Sequence, residues 1–430
     1  MRVGLYLRGF EESLRGVCNR PMPGEKGRSM LRLMSLLAMG LIVEMVFFGP
    51  LGLLLAGIPI RKVLIAALVV SSIVPMLTRK AEGNWQVGLL ISIILFLLIW
   101  GFVIPLSNNV DLKMSVAEIQ PFVAILLIFP FYYLFVEYGP KRYLNVLVIS
   151  TAIMAIIVIF LWLCTNVLGL TGIGITARNF YTGLNDSDIG VYIGPMPDGS
   201  FRIMLINFVL FPIMLSYHNW ERPNLPWSAF YAVAIFATGT RAFLGVGMII
   251  IGTALLRKRP VLAVPIIAAL VGFGSIYIIN HQELHVFDFS SDFSSSAARY
   301  VQFFSLMNLF LNFPILGAGF GASASVIRSF DAPYSYELTY VALLAKIGIV
   351  GALIVGVAMT AWIKKSMRNN QNWMSVIVLV VAVVLMTATN PYLINLVGMS
   401  IAAFLVAIGI WANRPVLALS APTFQHEDEK

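Results

Sequence analysis

The chain has 430 residues, 59% hydrophobic and 11% charged, with 29 Lys+Arg against 20 Asp+Glu. Soluble domains are usually about half apolar and about a quarter charged, so this composition excludes a string of soluble domains, a disordered chain, a collagen-like fibre and a disulfide scaffold. A polytopic membrane protein remains, and the +9 net charge then reads as a topological signal, with no nucleic-acid partner implied.

Residues 1–30 form a basic segment with Arg2, Arg8, Arg15, Arg20, Lys26 and Arg28. It lacks the apolar core and cleavage site of a signal peptide and reads as a cytoplasmic segment resting on anionic membrane lipids. A span needs about 20 mostly apolar residues. Twelve are predicted, near 31–52, 62–78, 86–106, 119–138, 143–165, 201–217, 224–239, 241–256, 261–280, 338–363, 373–389 and 393–412. The stretch 48–62 is the least regular, because Pro50, Pro59 and Arg61-Lys62 interrupt it. The expected class is an all-α polytopic membrane protein of about 12 transmembrane helices, with a membrane domain over 31–412 and a cytoplasmic tail over 413–430.

Orientation follows from the Lys/Arg bias of short loops. With both termini in the cytoplasm, the clusters Arg79-Lys80, Lys141-Arg142, Arg257-Lys258-Arg259 and Lys364-Lys365 with Arg368 all fall inside. Together with the N-terminal group, Arg32 at the head of the first span, and Arg222, Arg414 and Lys430, they account for twenty of the 29 basic residues. Cys18 and Cys164 are the two cysteines, and neither is expected to form a structural disulfide.

Two long loops are predicted on the outer face, about 166–200 and 281–337. Loops of this length are usually functional or disordered, and their aromatic content argues against disorder. The second contains an amphipathic piece, AARYVQFFSLMNLFLNF, expected at the membrane surface as a cap on the bundle or as a lid over a site.

Nine basic residues stand on the predicted outer side or within the membrane: Arg61, Lys62, Lys113, Arg178, Arg202, Arg241, Arg299, Arg328 and Lys346. Ionisable groups there default to a functional hypothesis. Arg241 sits in ATGTRAFLGVGM between two apolar runs, Arg202 follows the turn Pro197-Asp198-Gly199, and Arg299 follows Ser294-Ser295-Ser296. Guanidinium forks suit bidentate phosphate binding, so these three are candidates for holding a lipid diphosphate; snorkelling to lipid headgroups is the alternative for each. Glu337 lies where a polar aromatic loop meets the tenth span. A partly desolvated carboxylate there suits general-base use, or an ion pair with a nearby arginine. Lys346, about two and a half turns deeper, is expected to face the bundle interior or to pair with an acid such as Glu44.

Other patterns carry less. Gly317-Ala318-Gly319-Phe320-Gly321 has no strand–helix unit around it to make a dinucleotide site, and reads as a flexible loop or a close-packing turn. His218, His281, His285 and His426 lack the spacing of a zinc site, so no metal or other cofactor is expected. The serines of FSSDFSSSAAR have no activating partner in sequence, and no Walker loop is present to drive transport by ATP.

Taken in order, DGSFRIML, ATGTRAFLGVGM, ARYVQFFSLMNLFLNFPILGAGFG and YSYELTYVALLAKIGIVG resemble the bacterial O-antigen ligase and O-antigen/exopolysaccharide polymerase superfamily. The resemblance covers roughly 202–363, about 160 residues; the other spans match in hydropathy only. It implies a polytopic glycosyltransferase of the bacterial inner membrane, its long loops in the periplasm, working on a polyprenyl-diphosphate-linked oligosaccharide without a metal ion, beside a flippase and a chain-length regulator. Carried onto this chain, Arg241 and Arg299, with Arg202, would neutralise the diphosphate, and Glu337 would take the proton of the attacking sugar hydroxyl. Tyr334 and Tyr336 would stack on sugar rings, or serve as interfacial belt tyrosines. Where the ligases commonly carry a His-Asn pair, this sequence has Glu337-Leu338, which favours a repeat-unit polymerase over a ligase acting on lipid A core. A secondary transporter or flippase is the rival from another class; it calls for internal repeats, broken helices and mid-membrane charge.

Overall fold

A computed structural model of the protein describes residues 25–48, 52–55, 58–78, 83–185, 191–195, 201–220, 224–258, 261, 265, 295–327, 332–368, 373–388 and 394–412. Arg79-Lys80, most of the predicted span 261–280, the His281/His285 pair, Arg328 and the tail 413–430 lie outside the described residues. What is described is mostly helical (82%), with little sheet.

In chain order the elements are α1 (Glu25–Phe47), a hairpin of β1 (Leu54–Leu55) and β2 (Ile58–Pro59), α2 (Ile60–Thr78), α3 (Gly83–Leu98) and α4 (Ile104–Ser107). There follow α5 (Leu112–Ile119), α6 (Ile128–Tyr138), α7 (Lys141–Trp162), α8 (Thr171–Asn185), β3 (Val191–Pro195) and β4 (Phe201–Leu205). The rest is helical: α9 (Leu210–His218), α10 (Leu225–Ala237), α11 (Arg241–Lys258), α12 (Ser295–Asn312), α13 (Thr339–Arg368), α14 (Trp373–Ala388) and α15 (Leu396–Ala412).

Among the described residues, five helical stretches are long and apolar enough to cross a membrane: Ser29–Phe47, Trp85–Ser107, Leu112–Tyr138, Lys141–Val167 and Thr339–Lys364. Shorter apolar helices cover Leu225–Ala237, Ala242–Arg257, Ile377–Ala388 and Leu396–Ala412. Helices of this kind point to a membrane protein. Even α14, whose VIVLVVAVVL run is rich in strand-favouring residues, is helical; in a medium without water only a self-bonded backbone avoids unsatisfied amides.

Two predicted features change. The predicted span 201–217 is instead a strand, a 3-10 turn over Ile206–Val209 and the nine-residue α9. The Pro-Asp-Gly turn signal lies between β3 and β4, which pair antiparallel with Val191 opposite Leu205 and Pro195 opposite Phe201. The predicted loop 166–200 contains the 15-residue α8 and β3. Asn166 fastens the base of this region: its side chain accepts from Phe201 N–H at 2.7 Å and donates to Phe201 C=O at 2.9 Å.

The spans are broken where the sequence removes hydrogen-bond donors or admits close contact. Pro105 has no N–H, so the carbonyl four residues back, Gly101, needs another donor. The ladder widens to a π turn over Ile99–Val103, and Ser115 Oγ–H donates to Gly101 C=O at 2.5 Å. Phe320 N–H takes the neighbouring Trp100 C=O at 3.0 Å. A second break lies inside α13 at Gly348, with φ 63° and ψ −172°.

That second break is closed by the 314–321 turn. Ala318 and Gly319 N–H donate to Ala345 and Lys346 C=O, each at 2.9 Å. Ile349 and Val350 N–H donate to Pro314 and Ile315 C=O at 2.9 and 3.0 Å. Trp100 Nε1–H reaches Leu316 and Ile347 C=O at 2.8 and 3.0 Å. The carbonyls of 345, 346 and 347 and the N–H groups of 349 and 350 thus find partners outside the α13 ladder, as buried backbone groups require. The glycine-rich turn is a close-packing one: Gly317, Gly319 and Gly321 all have positive φ. A Cβ on Gly319 would stand 2.7 Å from Pro105 Cδ.

Candidate functional site

The polar face of α12 and the residues just ahead of α13 build the first part of the site. Positions 299, 302 and 306 recur at helical spacing and face inward: Gln302 is buried, and Leu306 packs with Ala324, Tyr336 and Ala342. The opposite face is apolar and outward, with Tyr300, Val301, Phe303 and Phe304 exposed. Ser305, also inward, meets Ser325 at 2.9 Å and accepts from Val326 N–H at 3.0 Å.

This placement brings two of the sequence candidates together. Arg299 Nε–H donates to Glu337 Oε2 at 2.6 Å; the arginine side chain is 34% exposed and the carboxylate 12%. Glu337 N–H points to Gln302 Oε1 at 3.4 Å, and its carbonyl accepts from Thr339 N–H at 2.9 Å at the start of α13. The charge-assisted bond therefore sits at a loop-to-helix junction, partly exposed on the arginine side.

Arg202 lies on β4 opposite Gly194 and is half-buried. Its stem runs beside Gly239 in the turn before α11, where an added Cβ would stand 3.6 Å from Arg202 Cγ. That turn is fixed by Thr238, whose hydroxyl donates to Ile235 C=O at 2.7 Å and accepts from Thr240 N–H at 3.2 Å. Two residues further on, Arg241 opens α11; its side chain lies outside the described set.

Helix directions relate the two parts. Tyr340 O–H, in the first turn of α13, donates to Val384 C=O at 3.0 Å and meets Thr387 near the end of α14. α11 packs on α14, and Thr253 and Arg257 of α11 share a small cleft with Val378, near the start of α14. α11 therefore runs antiparallel to α14, and Arg241 stands at the end of the bundle where α13 begins.

The two tyrosines just ahead of α13 differ in exposure. Tyr336 is 3% exposed, and its hydroxyl oxygen accepts from Ala324 N–H at 2.6 Å. A ring so enclosed offers no face to a ligand in this conformation. Tyr334 is half-buried and its carbonyl accepts from Lys346 Nζ at 2.5 Å. Burial, then the nearby Glu118 carboxylate, pushes the Tyr334 phenol up; burial, opposed by the Ala324 N–H, does the same for Tyr336.

Sequence reading missed the partner of Lys346. The lysine does face the interior, but its Nζ is ion-paired with Glu118 Oε1 on α5 rather than with Glu44. The other Glu118 oxygen accepts from Gly321 N–H at 2.6 Å, and the rings of Tyr334 and Tyr336 lie 5.8 and 5.6 Å from the ammonium. Glu44 instead binds Arg61 at 2.5 Å, and the arginine side chain is 0% exposed. Arg61 is therefore a buried structural cation and no part of an outer surface. A lone carboxylate in an apolar run is the signal for such a pair, yet its partner is 228 positions away.

Comparison with protein-family models finds no matching family, and comparison with curated proteins finds no matching relative.

Proposed function

We propose that the chain is a bacterial inner-membrane glycan polymerase that transfers a polyprenyl-diphosphate-linked oligosaccharide onto another lipid-linked repeat unit at the periplasmic face. The reading keeps about 12 spans with both termini cytoplasmic. The observation that carries it is the 2.6 Å pair of Arg299 and Glu337, a partly exposed cation and a carboxylate beside an exposed apolar helix face. A lipid diphosphate entering along that face draws Arg299 away from Glu337, as the stronger anion. Arg241 and Arg202, at the same end of the bundle by helix direction and turn contact, complete the charge.

In the reaction the acceptor hydroxyl oxygen attacks the anomeric carbon of the donor sugar. The bond from that carbon to the diphosphate oxygen breaks, and polyprenyl diphosphate leaves with the electron pair. The arginines stabilise the negative charge that develops on it. The hydroxyl proton passes to the Glu337 carboxylate oxygen that Arg299 has vacated. Pairing in the resting state thus keeps the base occupied until the donor is present. Ligation to lipid A core uses the same groups and differs only in the acceptor.

A transporter is the second reading, favoured by a specific observation: the π turn at Ile99–Val103, the break at Gly348 and the buried Glu118–Lys346 pair match the broken helices and enclosed charges of that class. Purified protein incubated with lipid-linked repeat units separates the two. Polymer supports the enzyme; movement of the lipid between leaflets with no new glycosidic bond supports transport and refutes the polymerase.

A further inference from the structure

Between Glu337 and the interior of the bundle lies one small network. Lys346 belongs to α13, nine residues after Glu337, and reaches back to the loop that delivers the carboxylate. Its Nζ donates to Tyr334 C=O at 2.5 Å and sits against the rings of Tyr334 and Tyr336. Glu118 holds the ammonium with one oxygen and Gly321 N–H with the other. Tyr336 in turn binds Ala324 N–H, in the stretch that leads from Gly321 to the contact of Ser325 with Ser305 on α12. Both arms of the Arg299–Glu337 pair therefore trace to the same two buried charges. The Glu337 arm runs through Tyr334 and Tyr336, and the Arg299 arm runs through 321–325 and α12.

We propose that Glu118 and Lys346 are positioning residues, which set the place of Glu337 by holding the 334–336 backbone against α13 and α5. They touch neither donor nor acceptor. The proposal rests on the reading of Glu337 as the base, and its physical content is geometric: a misplacement of about 1 Å at a reacting group costs roughly 100-fold in rate. With Lys346 removed, the Tyr334 carbonyl loses its donor and the loop is free to shift with Glu337 on it.

The test uses the full chain in detergent and in vesicles. Single substitutions leave a bare charge in the bundle and are prone to misfold, so the working variant is Glu118→Gln with Lys346→Met, which leaves none. A water-soluble carbodiimide with an amine nucleophile labels accessible carboxylates, and peptide mass spectrometry reads Glu337 directly; Glu337→Gln marks the zero. Labelling of Glu337 is expected to rise severalfold in the double variant. Turnover of lipid-linked repeat units should fall by about 10- to 100-fold in kcat with KM little changed. In a Glu337→Gln background the same pair of substitutions should cost nothing further in kcat. Unchanged labelling in the double variant, or an equal kcat loss in the Glu337→Gln background, overturns positioning. Raised labelling alongside a wild-type chain that makes no polymer sustains positioning and removes the polymerase reading.

Discussion

Gly317→Ala puts the interlock between the 314–321 turn and the broken α13 under direct strain. Gly317 has φ +78°, and a Cβ there would overlap the Lys346 carbonyl and stand 2.5 Å from the Gly348 nitrogen. The left-handed conformation alone costs a non-glycine residue about 1–2 kcal/mol, and overpacking against atoms that cannot rotate away adds about 1–3 kcal/mol. The obstacle is backbone on both sides, so relief requires the turn to back out, which lengthens the Gly319-to-Lys346 bond now at 2.9 Å. A loss of about 2–5 kcal/mol is expected, from a margin that is typically about 5–15 kcal/mol. At about 2–4 °C per kcal/mol for larger domains, melting in detergent should drop by about 4–20 °C. Gly356→Ala is the control, because a Cβ at that helical position meets nothing within 4 Å and should be neutral or slightly stabilising. Equal melting temperatures for Gly317→Ala and wild type would refute the interlock.

Trp100→Phe keeps the ring but removes the donor to Leu316 and Ile347 C=O; a loss of about 1–3 kcal/mol is expected, read as the fall in melting temperature, and none at all would contradict the bonding scheme. Arg61→Ala strands the Glu44 carboxylate in the core and should cost about 3–5 kcal/mol, whereas Glu44→Leu with Arg61→Met should restore most of it; the same melts compare the two. Arg299→Ala and Arg241→Ala should each abolish chain lengthening while the protein still reaches the membrane, as judged by gel profiles of the polymer and membrane blots. Glu337→Gln should leave donor-lipid binding in place and lower turnover by about 100-fold or more; full turnover would remove the base but spare the diphosphate site.

The apolar runs by themselves determined the membrane class and the approximate extent of the long helices. Where water is excluded, length and hydropathy leave the backbone no option but to bond to itself. They also singled out Arg299 and Glu337, because each breaks a local rule of the expected topology: a cation on the side where positive charge is expected to be scarce, and a carboxylate next to a long apolar run. Hydropathy failed at 201–217, since an apolar β-hairpin arm and an apolar helix read alike over so few residues; the decision came from β3, which supplies the partner strand. Only the tertiary structure decided who pairs with whom. Arg61 faces Glu44 and Lys346 faces Glu118 because the packing of α1 with α2, and of α5 with the 314–321 turn and α13, encloses them. Charge type fixes that a buried ion needs a partner, but proximity in space, over 228 positions of chain in the second case, selects it. Of the nine basic residues that the sequence set apart, Arg61 and Lys346 are thus buried in ion pairs, and Arg299 stands paired with Glu337 just ahead of α13.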